Sequence, residues 1–470
     1  MLTLWEPKRH SQDNVSRREF LKIGTAGFGG LTLAELLRLE SAAGTGSSQK
    51  AVINIHLDGG PPHMDMIDLK PNAPSEIRGE FSPINTSLPG FQIGELLPKV
   101  GSMADKFAFI RSLVGSAGRH DAFQCQSGFK AEELQSMGGR PAMGSVVAKL
   151  RGSAADVAPS FVDMMQGRPL VRNSARPGFL GPAFQPFRPD LSHLFQRELE
   201  AGMKNELARQ GQDHRTSLKL NEDLGLDRLM TRTSLLSQLD SIRRDVDSSG
   251  MMSAMDQFTQ QAVGILTSGK FADAIDLEKV DAKTLARYTL STTPDVEQHS
   301  TSDTPKATLK FLLARRLIEV GVRCVSMTIS DFDLHRDNFN RLKLILPILD
   351  HGLSTLVADL EERGMLDDVS IVLWGEFGRT PRIDAKTAGR HHWPQVGMAM
   401  LAGGGMRLGQ VIGSTDRTAS TAISRAVRYQ DIFATLYRNM GLDATKITMI
   451  DPTGRPQYIL DAGQPLSELV

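Results

Sequence analysis

The chain has 470 residues, in which 54 lysines and arginines balance 54 aspartates and glutamates. Zero net charge argues against nucleic acid as the main partner, because phosphate binding draws on a cationic surplus. The length suits one large α/β domain or two ordinary ones. Two cysteines, Cys125 and Cys324, exclude a disulfide scaffold, and no apolar run reaches the roughly 18 residues that would span a bilayer.

In chain order, the first feature is an address. Ser16, Arg17, Arg18, Glu19, Phe20, Leu21 and Lys22 precede a weakly apolar stretch from Ile23 to Leu37, and Ser41, Ala42 and Ala43 supply small residues suited to cleavage. This order of charged, apolar and small segments resembles a twin-arginine signal peptide over residues 1–43. It implies a twin-arginine translocase as partner and a periplasmic or secreted mature protein. Such export carries folded chains, which suits a protein loaded with metal inside the cell.

Residues 44–470 alternate between strand and helix patterns. Ala51 to Leu57, Lys106 to Leu113, Ser160 to Met165, Val322 to Ile329, Val369 to Trp374 and Val396 to Ala402 read as strands. Pro305 to Val320, Leu342 to Arg363 and Arg428 to Met440 read as helices, the last closed by Gly441. Residues 190–290 are poor in strand formers and read as a helical insertion. The alternation predicts an α/β fold with a central, mainly parallel sheet between helices. In such sheets functional groups gather at the carboxyl ends of the strands.

The polar clusters sit at those ends. Asp58, His63, Asp65 and Asp68 follow the first strand, and oxygen and imidazole ligands suit hard cations or zinc. Arg111, Ser112, Ser116, Arg119 and His120 surround the end of the second; guanidinium groups suit oxyanions. Asp331, Asp333 and His335 follow the strand ending at Ile329. Glu376 stands alone after the apolar strand ending at Trp374, needing a cation such as Arg379 or a metal, and His391 and His392 follow closely. Each cluster is also what a capped turn or helix start requires, since Asp and Asn favour those places. The stretch from Gly264 to Lys270 imitates a phosphate loop but lacks its closing Ser or Thr and a preceding strand.

Taken together, these motifs resemble a bacterial domain-of-unknown-function family of exported, sulfatase-like proteins within the alkaline phosphatase/sulfatase superfamily. The resemblance runs from about Ala51 to about Leu442 and is carried most specifically by the segments around Glu376 and His392. It implies an alkaline-phosphatase-like fold and one or two divalent metal ions, whether zinc, calcium, magnesium or manganese. It places metal ligands near Asp58 or Asp65 and at Asp333, His335, Glu376 and His392. Ser112, Ser116 or His120 falls in the region of the nucleophile, with Arg111 or Arg119 offsetting oxyanion charge. The implied activity is metal-dependent hydrolysis of phosphate or sulfate esters, possible substrates including a sulfated polysaccharide. The alternative is a non-catalytic protein that binds a glycan or sulfated polymer, or builds the cell envelope. The chain departs from the family pattern at Pro62 (usually Ser), Asp331 (usually Gly) and His391 (usually Asp), and Phe377 replaces one ligand of the superfamily. The formylglycine sulfatase nucleophile motif is absent.

Overall fold

The computed structural model describes residues 50–134, 138–153, 156–165, 175–189, 191, 262–265, 268–290 and 304–470. The expected signal segment 1–43, and most of the helical insertion expected at 190–290, lie outside the described residues. The main elements are β1 (Ala51–Leu57), β2 (Phe107–Val114), α1 (Met143–Arg151), β3 (Phe161–Met164), α2 (Leu309–Glu319), β4 (Cys324–Ile329), α3 (Asn338–Glu362), β5 (Val369–Trp374), β6 (Gly397–Gly403), β7 (Gln410–Ile412), β8 (Val427–Arg428) and α4 (Tyr429–Asn439).

Eight strands form one sheet, seven of them in the order β7-β2-β6-β5-β1-β4-β3, while β8 pairs with β2 beyond the end of β7. The predicted strands match it closely because both faces are covered, so each strand is an almost unbroken apolar run. Alternation then divides the side chains between two layers. Ile53, Ile55 and Leu57 of β1 and Ile371 and Leu373 of β5 pack with Phe311, Leu312, Leu356 and Val357 of α2 and α3. Val52, Val372, Trp374 and Leu401 pack on the opposite face with Val146, Val147, Ile432, Phe433 and Leu436 of α1 and α4. Each such fully buried side chain contributes about 1.5–3 kcal/mol relative to exposure.

One strand runs against the rest. β6 is antiparallel to both β5 and β2, whereas β1 pairs in parallel with β4 and β5, β3 with β4, and β7 with β2. The sheet is therefore mixed and mostly parallel. This reversal has a functional consequence. The amino end of β6 lies at the edge where β1, β2, β4 and β5 finish, so the segment before it, with His391 and His392, joins the loops that follow those strands.

Candidate metal centre

The deeper part of the site begins inside β1. Val52, Asn54 and His56 share a face, and Asn54 is held there by accepting from the Trp374 indole N–H at 2.9 Å. His56 is fully buried, and its Nε2 donates to Glu376 Oε2 at 3.0 Å. Glu376, two residues beyond β5 and 1% exposed, also accepts from the Gly59 N–H at 2.9 Å. That approach needs a glycine. Gly59 has φ +104°, and a Cβ there would lie 2.3 Å from the Asp333 nitrogen. Burial pushes the Glu376 carboxyl up, but hydrogen bonds from His120 and His56, and the charge of His56, outweigh it and hold the group below the ordinary carboxylate value. His56, Asp58 and Glu376 bring their ligating atoms within 4.8 Å of one another.

A second, half-buried group lies beside the first. Asp333 and His335 come from the turn after β4, His392 from the segment before β6, and His120 from the loop after β2; their ligating atoms also fall within 4.8 Å of one another. His335 Nε2 is 2.9 Å from Asp333 Oδ1 and 3.0 Å from His392 Nε2. Asp331 takes φ +74° in this turn, a conformation that Asp tolerates better than most residues. Burial raises the Asp333 carboxyl, but hydrogen bonds to His392 and Arg379 and the nearby positive charges bring it well below its ordinary value. Burial lowers the His335 imidazole, as do Arg379, His392 and His391, against the opposing pull of Asp333.

His120 joins the two groups. Its Nδ1 is 3.3 Å from Glu376 Oε1 and its Nε2 is 3.5 Å from Asp333 Oδ2. Burial lowers its basicity, but the two carboxylates prevail and the net shift is upward. Phe377 forms an apolar wall here, with its ring centroid 4.2 Å from that of His392 and 5.2 Å from that of His120. Its ring thus positions two imidazoles.

Several expected site residues are placed elsewhere. Asp65 accepts from Arg390 Nε and Nη2, both at 2.8 Å, and from Asn338 Nδ2 at 2.9 Å, so its oxygens are committed to a buried ion pair outside both groups. β2 continues to Val114, leaving Arg111 and Ser112 inside the strand on opposite faces. Ser112 donates to the Arg425 carbonyl at 2.6 Å. Arg111 donates to the Ile67 carbonyl at 3.1 Å and lies over the Phe91 ring. Ser116 donates to the backbone carbonyl of Glu376. Arg119 is exposed, 3.3 Å from Glu132. Arg379 does not neutralise Glu376 by direct contact. Fully buried, it donates to Asp333 Oδ1 at 2.6 Å and to the carbonyls of Gly59, Gly60 and Arg390. His56 escapes a reading based on loops because it lies within a strand; the available signal is the polar pair Asn54 and His56 on one face of an apolar run.

Two observations test whether these residues suit a metal ion. Ligands bonded at about 2.1 Å in tetrahedral or octahedral arrangement stand roughly 3.0–3.4 Å apart, and the His56–Glu376, His335–Asp333 and His335–His392 contacts of 3.0, 2.9 and 3.0 Å approach this spacing. The nitrogen and carboxylate donors suit zinc or manganese better than calcium, which prefers oxygen throughout.

The family model described as Protein of unknown function (DUF1501) matches residues 49–470, and the chain belongs to that family. No curated protein sequence matches it. Among solved structures, the PsFucS1 sulfatase from Pseudoalteromonas sp. is 14% identical with a TM-score of 0.34, covering 87% of this chain and 70% of that one. Ps i-CgsB is 9% identical with a TM-score of 0.32, covering 84% and 72%. BT4656, in complex with its substrate D-glucosamine-2-N,6-O-disulfate, is 12% identical with a TM-score of 0.30, covering 90% and 82%.

Proposed function

We propose that this family member is an exported, metal-dependent hydrolase of phosphate or sulfate esters with an alkaline-phosphatase-like fold. The observation that carries the reading is the pair of adjoining ligand groups bridged by His120. His56, Asp58 and Glu376 would hold one cation, and Asp333, His335 and His392 a second. Bound there, divalent ions would supply Lewis acidity toward the ester oxygens.

The protein's own groups do the rest. Arg379 fixes Asp333 from behind, and Gly59 lets the β1 turn close over Glu376. Phe377 keeps one wall dry. His120, half-exposed between the carboxylates, faces substrate and moves a proton at Nε2. Among the serines expected to act as nucleophile, Ser112 and Ser116 are both committed to carbonyls. This favours direct attack by water, with His120 exchanging the proton as the ester bond breaks and the alcohol leaves, over a serine ester, and it is also the observation that favours the non-catalytic alternative. The twin arginines support a periplasmic or secreted location.

Purified protein should bind one or two zinc or manganese ions and hydrolyse an aryl phosphate or aryl sulfate, with turnover lost to a chelator. His120→Gln should retain metal and lose roughly 10²–10⁴-fold in rate. A metal-loaded protein inert toward both esters points to binding without turnover, and absence of bound metal defeats the proposal.

A further inference from the structure

Behind His335 a polar chain runs out to the surface. His335 Nδ1 is 2.9 Å from His391 Nδ1, and His391 Nε2 is 3.0 Å from Asp384 Oδ2. The other Asp384 oxygen, Oδ1, accepts the backbone N–H groups of Lys386 at 2.7 Å and Thr387 at 3.1 Å. The backbone holds this arrangement in register. His391 N–H donates to Thr380 Oγ1 at 3.0 Å, and the Thr380 N–H donates to the His391 carbonyl at 2.9 Å. The amides of Asp337 and Asn338 donate to the carbonyls of Thr387 and Ala388. Gly389 lies so close to the His335 carbonyl that a Cβ would stand 2.0 Å from that oxygen.

The direction of each hydrogen bond follows from the chemistry of its ends. A carboxylate only accepts, so His391 must donate from Nε2. A neutral imidazole with its proton on Nε2 has its lone pair on Nδ1. His335 must therefore donate from Nδ1, which leaves the lone pair of a neutral His335 on Nε2, 3.0 Å from His392 Nε2 and 2.9 Å from Asp333 Oδ1, an oxygen that already accepts from Arg379 and so does not need the His335 proton. We infer that Asp384 and His391 are positioning residues that set the tautomer of His335, so that Nε2 is presented as a metal ligand. The inference rests on the metal reading above and adds two residues that touch neither cation nor substrate. Outer partners of this kind typically change metal affinity by roughly 10–100-fold.

Asp384→Asn tests the polarity of the chain. The two backbone amides will keep the Asn oxygen on their side, turning its NH₂ toward His391. A donor there forces His391 to accept at Nε2 and donate at Nδ1, which moves the His335 proton to Nε2. The full chain should lose roughly 10–100-fold in zinc affinity by chelator competition, with an unchanged thermal midpoint. In a His391→Ala background, the same substitution should have no further effect. Nitrogen-15 shifts of metal-free protein at about pH 8, where ordinary imidazoles are neutral, should show His335 protonated on Nδ1 in the wild type and on Nε2 in Asp384→Asn. Wild-type zinc affinity in Asp384→Asn, or an equal loss in the His391→Ala background, overturns the inference. If the wild type binds no zinc, the metal reading fails, and the nitrogen-15 shifts still decide the tautomer: protonation of wild-type His335 on Nε2 overturns the chain.

Discussion

Glu376 sits at 1% exposure with three donors around it, the His56 and His120 imidazoles and the Gly59 amide. None is a permanent cation. Arg379, three residues later, is spent on Asp333 and on three backbone carbonyls. A carboxylate in this setting gains from a metal ion, because imidazoles offset a buried negative charge only while they are protonated and an unpaired buried charge costs several kcal/mol. Glu376→Gln keeps the shape and one acceptor while removing the charge. Bound metal, measured by elemental analysis, should fall to a small fraction of the wild-type level. Far-ultraviolet circular dichroism should stay unchanged, and thermal stability should shift by no more than about 1–2 kcal/mol, the scale of one altered hydrogen bond. Full metal occupancy in the Gln variant would remove Glu376 from the ligand set.

Between elements, the long helix α3 supports a short one. The helix Pro98–Ser102 has no side-chain cap of its own; Asp350 in α3 accepts instead from the amides of Lys99 at 3.1 Å and Val100 at 2.8 Å. Burial raises the Asp350 carboxyl to about 6, outweighing those amides and Lys99. With the folded value above the unfolded one, the folded state holds this proton more tightly. The contribution is then fully present below the ordinary value of about 4 and lost as pH rises through about 6, a change of at most about 3 kcal/mol. The stability of wild type minus that of Asp350→Asn, from urea titrations, should decline across that window; a flat difference rules the linkage out. Elements like α3 and β1, β4 and β5 are legible in the sequence because a doubly covered sheet leaves long apolar runs and helical periods. The direction of β6 is not, since an antiparallel strand buried on both faces has the same composition as a parallel one. Strand ends reveal Asp58, Asp333, His335, Glu376 and His392 as candidates. His56 stays hidden inside its strand, and the commitment of Asp65 to Arg390 is a contact across 325 residues that no local pattern contains.

At the scale of the molecule, the candidate site is a product of long-range folding. His56 and Glu376 are 320 residues apart in sequence, and His120 and Glu376 are 256 apart. Both groups are complete only when Lys50–Val470, one compact unit, has closed its sheet. Until then neither group has its donors together, so metal binding at the proposed site would be coupled to folding. Export of an unfolded chain would defer metal capture to a compartment where metal supply is uncontrolled, whereas export of a folded chain lets the cell load the site first. The second route is the one that the proposed twin-arginine signal at Arg17 and Arg18 would use. Replacing both with lysine keeps the charge and removes the paired guanidinium groups. On the proposed route, cell fractionation of this variant should find the protein in the cytoplasm, folded and carrying the same metal content as the wild type. Undiminished export would reject the twin-arginine route; retention in a metal-free form would show that the site is filled after crossing.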